Sequence, residues 1–324
     1  MIASTGPGRC DGLPSCNRAK RATMMSEASR PSTEMALNAH RIDFTSEING
    51  TGYRLLISEP AGDPPPEGWP VVYLIDGNLH FGISVDTARV QERWPEVREA
   101  VIVGIAYQTD SVAKALQVRT YDLTPATPLA VTERGWMRSM GAKPEDFGGI
   151  DDYLRIVEEE VKPRVRAYTR VSADDTLMGH SLGGLTTLYA ILRHPASFRQ
   201  YVAVSPSIWV NDRWVLQFVD GFIEAVKSGA VEARFLLSTG ELEEADPPFP
   251  PYPVTGFPSS EENYVEMTRS CGMVTYPSEL AARLKALRAP GFDFKFVIHP
   301  DEDHRTVVPA GIARGIFYTM FRHG

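Results

Sequence analysis

Basic residues are in the minority in this chain: 33 Lys and Arg stand against 41 Asp and Glu, a net charge of −8. No run of Lys or Arg alternates with aromatic residues, which argues against a nucleic-acid surface and against an anionic membrane surface. Cysteine is scarce as well. Of 3 cysteines in 324 residues, Cys10 and Cys16 lie near the start and Cys271 in the body, so there is neither a disulfide framework nor a paired metal-ligand spacing. No apolar stretch approaches the roughly 18 to 20 residues that span a bilayer, and the start lacks the continuous apolar segment of a secretory signal. Residues 1–34, polar and rich in small residues with Arg9, Arg18, Lys20 and Arg21, read as a disordered leader. Residues 35–324 read as one cytoplasmic domain that calls for no metal or organic cofactor.

Hydrophobic residues make up 43% of the chain, enough to bury a large core in one sizeable domain. Apolar or alternating runs at His40 to Glu47, Tyr53 to Glu59, Val71 to Asp76 and Ala100 to Tyr107 predict strands. Further runs follow at Thr176 to Gly179, Tyr201 to Ser205, Arg234 to Ser238 and Asp293 to His299. Helical patterns fall between them at Asp151 to Tyr168, Leu185 to Arg193, Ser278 to Leu287 and Val307 to Phe321. The early runs are joined by tight turns such as Asn49-Gly50-Thr51-Gly52, as in an antiparallel hairpin. Later runs alternate with helices, the pattern of a mostly parallel sheet covered on both faces. Two long connections, 108–149 and 244–277, leave the carboxyl edge of that sheet, where ligands bind, and are expected to be walls or a lid of a substrate site. The second carries Pro247-Pro248-Phe249-Pro250-Pro251-Tyr252-Pro253, a stiff aromatic segment from which Phe249 and Tyr252 would line that site.

The short apolar run Asp175-Thr176-Leu177-Met178 leads into Gly179-His180-Ser181-Leu182-Gly183-Gly184 and then a helix. Strand, Gly-x-Ser-x-Gly turn and helix form the nucleophile elbow of an α/β-hydrolase fold, which makes Ser181 the candidate nucleophile. A serine hydroxyl needs a neutral imidazole to take its proton and a third group to orient that imidazole, in the chain order Ser, acid, His. His304 lies five residues beyond the last strand and just before the final helix, where that imidazole belongs. The acid is sought after Phe235 to Ser238. Glu243, three beyond Gly240, has the fitting spacing, with Glu241 as the alternative. Backbone donors for the oxyanion are expected from Leu182 and, in the turn Asp76-Gly77-Asn78-Leu79, from Asn78. Asp76 itself is read as a buttress of that turn rather than a catalytic acid.

Several motifs together resemble the esterase branch of the α/β-hydrolases. They are Val72-Tyr73-Leu74-Ile75-Asp76-Gly77-Asn78, Arg119-Thr120-Tyr121-Asp122-Leu123-Thr124-Pro125, Gly179 to Gly184, Ser205-Pro206-Ser207-Ile208-Trp209, Gly240-Glu241-Leu242-Glu243 and His304. The likeness spans roughly Phe44 to Phe321 and is nearest to the ferric-siderophore esterases of the enterobactin, salmochelin and bacillibactin type. It implies hydrolysis of a small-molecule carboxylic ester through an acyl-enzyme, with a siderophore trilactone as the substrate class. It also implies that Arg119, Tyr121 and Trp209 line the pocket, with Arg119 either gripping an anionic substrate through its two-pronged guanidinium or tying the long connection to the sheet. Acyl transfer to another alcohol, and a non-catalytic binding module on the same fold, are the competing readings.

Overall fold

In the computed structural model, which describes residues 39–245 and 257–322, the strand-forming runs all enter one sheet. Its eight strands are β1 (Ala39–Thr45), β2 (Gly52–Ser58), β3 (Trp69–Ile75), β4 (Val101–Tyr107), β5 (Val171–His180), β6 (Gln200–Val204), β7 (Ala233–Gly240) and β8 (Phe292–His299). Their order in space is β1-β2-β4-β3-β5-β6-β7-β8. β1 pairs antiparallel with β2, and β2 antiparallel with β4, while every pairing from β4 through β8 is parallel. This is the mixed sheet of an α/β-hydrolase, opened by the expected hairpin.

Burial follows position in the sheet. β3 and β4 are buried at every residue, because central parallel strands are covered on both faces, whereas edge strand β8 alternates. Successive side chains of β3 point to opposite faces and so enter different cores. Val71, Tyr73 and Ile75 join the larger cluster, and Val72 and Leu74 the smaller. The smaller core is closed by helices α1 (Gly77–Gln91) and α8 (Val307–Met320). Helices α3 (150–168), α4 (Leu182–Arg193), α5 (Val219–Lys227) and α7 (Thr275–Lys285) close the larger one.

The helix expected over Asp151 to Tyr168 forms with one irregularity. Ile150–Ile156 and Lys162–Tyr168 are joined by a π-helical turn, Val157–Val161. Pro163 accounts for it: proline lacks an N–H and its ring would strike the carbonyl four residues back in a regular helix. The two long connections are not plain loops. The first contains α2 (Val112–Asp122) and short helical turns at Leu129–Thr132 and Gly135–Ser139, and the second contains α6 (Glu261–Ser270). Trp136 Nε1 donates to Ser270 Oγ at 3.1 Å, so the two connections meet. The leader, Phe249 and Tyr252 lie outside the described residues.

At the end of α2, Asp122 is fully buried and accepts from the Tyr53 hydroxyl at 2.6 Å, tying the first connection to β2. Burial pushes its carboxyl up to about 6, above the value near 3.9 of an unfolded chain. The native state therefore holds a proton there that the unfolded chain has released between about pH 4 and 6, and stability falls as pH rises through that window. Asp122→Asn removes this dependence. From pH 4 to 7 the parent should lose, relative to the variant, on the order of 3 kcal/mol at most. Urea midpoints of both proteins across that range measure it, and parallel curves would refute the assignment.

Candidate active site

The elbow is built from backbone constraints. Ser181 sits between β5 and α4 at φ 60°, ψ −120°, a conformation imposed on a side chain only where the surroundings dictate it. Its N–H bonds the Val204 carbonyl at 3.1 Å, which anchors the turn to β6. A Cβ on Gly179 would lie 2.2 Å from the Gly183 carbonyl oxygen, so strand and helix can cross this closely only with glycine there.

Glu243 and His304 come from the loops after β7 and β8. These loops are stitched together by Glu241 N–H to His299 O and Leu242 N–H to Glu302 O, both 2.9 Å, and by Asp301 N–H to Glu241 Oε2 at 3.1 Å. Their approach is tight: a Cβ on Gly240 would stand 2.3 Å from the Glu302 carbonyl oxygen. In the resulting cleft His304 Nε2 lies 3.0 Å from Ser181 Oγ, and His304 Nδ1 lies 2.6 Å from Glu243 Oε2. The other carboxylate oxygen, Oε1, accepts from Gly240 N–H at 2.6 Å and from the Ser205 hydroxyl, and lies 3.1 Å from Thr239 Oγ1, which donates to the Met273 carbonyl at 2.6 Å. A carboxylate buried among such donors is held in one orientation. It fixes the imidazole with its proton on Nδ1, leaving a lone pair on Nε2 facing the serine.

The family model described as "Putative esterase" matches residues 46–219, just over half of the chain. The "Ferri-bacillibactin esterase BesA" of Bacillus subtilis is 31% identical over 91% of this chain and 91% of its own. The "Siderophore enterobactin esterase" of Emericella nidulans is 33% identical over 82% of this chain and 88% of its own. Among solved structures, that of the BES protein from Bacillus cereus superposes with a TM-score of 0.73 at 26% identity, covering 91% of this chain and 99% of the other. The chain belongs to this esterase family. It is accordingly a hydrolase acting on esters.

In this esterase the remaining sequence-chosen residues divide into two groups. Leu182 and Asn78 occupy the first turns of α4 and α1, where amide N–H groups have no carbonyl four residues back to bond. The Asn78 side chain fixes its turn by donating to the Tyr107 carbonyl at 3.1 Å and accepting from the Tyr107 N–H at 2.7 Å. Arg119 ties the first long connection to the end of β3. Its Nε and Nη2 bond Asp76 Oδ1 and Oδ2 at 2.7 and 2.8 Å, and Nη2 reaches the His180 carbonyl at 3.3 Å. Its guanidinium fork is turned to Asp76. Asp76, buried and at φ 62°, buttresses the turn that presents Asn78. Tyr121 is 42% exposed and covers Gly149, and Trp209 is half-buried.

Other side chains bear on the site without having been singled out. Trp136 meets Trp209 edge to face at 5.1 Å, adding a second indole from the first long connection. The His180 ring lies 4.5 Å from that of His304. Burial, then the neighbouring His304, His80 and Arg119, drive the pKa of His180 well below the usual histidine range. A neutral ring beside His304 does not oppose the charge that imidazole gains when it takes a proton. Among the described residues no helix is long and apolar enough to cross a membrane.

Proposed function

We propose that the esterase opens the ester bonds of a siderophore, with Ser181 as nucleophile, His304 as proton shuttle and Glu243 as the group that orients His304. The single observation that carries these residue roles is the hydrogen-bonded order Ser181 Oγ, His304 Nε2, His304 Nδ1, Glu243 Oε2. Ser181 Oγ attacks the ester carbonyl as its proton passes to His304 Nε2, and the amides of Leu182 and Asn78 receive the developing oxyanion. Collapse of the tetrahedral intermediate breaks the bond to the leaving alkoxide, which departs with the proton from His304. A water then attacks the acyl-enzyme, giving its proton to His304, and Ser181 Oγ leaves with that proton as the free acid forms. Trp209, with Trp136 and Tyr121 from the first long connection, offers flat surfaces for aromatic acyl groups. Arg119 serves through Asp76, by holding the Asn78 turn. The acidic composition and the absence of cysteine pairs fit a cytoplasmic place of action.

The substrate class rests on two of the relatives named above, the ferri-bacillibactin esterase and the siderophore enterobactin esterase. Purified protein should hydrolyse a catecholate trilactone with a kcat/KM at least about tenfold above that for a simple aryl acetate, a difference of about 1.4 kcal/mol in transition-state binding. Equal or reversed values would remove the siderophore from the reading and leave an esterase of another preference.

A further inference from the structure

Next to the proposed nucleophile lies a second hydroxyl that the mechanism above does not use. Ser207, in the loop after β6, is 2% exposed. Its N–H donates to the Ser181 carbonyl at 3.1 Å, and its Oγ stands 3.3 Å from Ser181 Oγ. Among the described residues Ser181 Oγ is the one hydrogen-bond partner of the Ser207 hydroxyl. We propose that Ser207 is a further catalytic residue, whose hydroxyl donates to Ser181 Oγ and so commits the Ser181 proton to His304.

The direction of that bond follows from counting protons. His304 Nδ1 gives its proton to Glu243, so Nε2 is an acceptor and the proton between it and Ser181 comes from the serine. If Ser181 donated to Ser207 instead, Nε2 would face a lone pair and the Ser207 proton would be buried without an acceptor, which is the costly arrangement. The chain Ser207 to Ser181 to His304 satisfies both hydroxyls. Its effect grows during reaction. As Ser181 loses its proton and its oxygen gains negative charge, the Ser207 bond becomes charge-assisted and stronger, and the same holds when Ser181 Oγ leaves the acyl-enzyme. An interaction stronger in the transition state than in the resting enzyme raises kcat.

The inference rests on Ser181 being the nucleophile, and the test separates the two. The parent, Ser207→Ala and Ser207→Thr are compared for thermal midpoint, for the rate of covalent labelling by a fluorophosphonate, and for kcat on an aryl ester. Labelling reports attack by Ser181 alone, without deacylation. In Ser207→Ala both the labelling rate and kcat should fall about tenfold at an unchanged midpoint, and Ser207→Thr, which keeps the hydroxyl, should recover most of the loss. A purely space-filling role predicts the reverse order, since alanine fits the cavity and threonine overfills it. A reactive parent with an equally reactive Ser207→Ala, or a Ser207→Thr no faster than the alanine variant, overturns the inference alone. A parent inert to the probe overturns the Ser181 assignment and the inference with it.

Discussion

Replacing Ser181 with alanine should lower kcat for ester hydrolysis by about four orders of magnitude or more, while the thermal midpoint stays within a few degrees of the parent. The chemical loss is total at one step, because without Oγ there is no acyl-enzyme. What survives is the catalysis that the Leu182 and Asn78 amides and substrate positioning give to direct attack by water. The structural cost is small for a specific reason. The strain at φ 60° falls on any residue with a Cβ, so alanine and serine carry it equally. The hydroxyl is half-exposed and its bonds to His304 and Ser207, at 3.0 and 3.3 Å, are to side chains that keep their other contacts. Glycine would differ, by relaxing the backbone. Steady-state rates and a melting curve on the same preparation decide it. A Ser181→Ala protein with more than about a hundredth of parental kcat would mean that another group carries the nucleophilic step.

The strands were legible because burial writes itself into the sequence in two ways. β3 and β4, covered on both faces, read as unbroken apolar runs, while β2 alternates because one face packs more deeply than the other. The elbow was legible because its glycines are required by contact: at Gly179 the opposing atom is backbone and cannot move aside. Helices within the long connections were less so. Of the residues of α6 only Tyr264 is buried, so no apolar stripe marks it. α2 holds its place through Arg119 and Asp122, with only Ala115 and Val118, both partly buried, packed against the core. The same cause blurred Arg119. A guanidinium in a pocket-lining motif looks alike in sequence whether it meets a ligand or a carboxylate of its own protein, and the distinction lies in Asp76, 43 positions away. Ser207 was visible within Ser205-Pro206-Ser207, yet a serine has no pattern that announces a hydroxyl partner across the fold.

Glu243→Gln should cost about three to four orders of magnitude in kcat, the second largest loss in the molecule, with little change in KM. The Glu243 carboxylate is held by donors on both oxygens: Gly240 N–H and the Ser205 hydroxyl on Oε1, and His304 Nδ1 on Oε2. A glutamine amide has one acceptor and one donor end, so one side must be mismatched. Turning the NH₂ toward Oε1's site sets it against a backbone N–H that cannot rotate. Turning it toward His304 is cheaper, since an imidazole can move its proton. The ring then carries hydrogen on Nε2, pointed at Ser181, and can no longer take the serine's proton. The side chain stays in place while its chemistry is inverted, so substrate binding survives and turnover does not. Glu241 supplies the control on the same loop. It is exposed and its carboxylate accepts from Asp301 N–H at 3.1 Å, so Glu241→Gln should leave kcat within about twofold. If the two variants lose activity equally, or if Glu243→Gln retains a tenth of parental turnover, orientation of His304 by Glu243 is not what sustains the reaction.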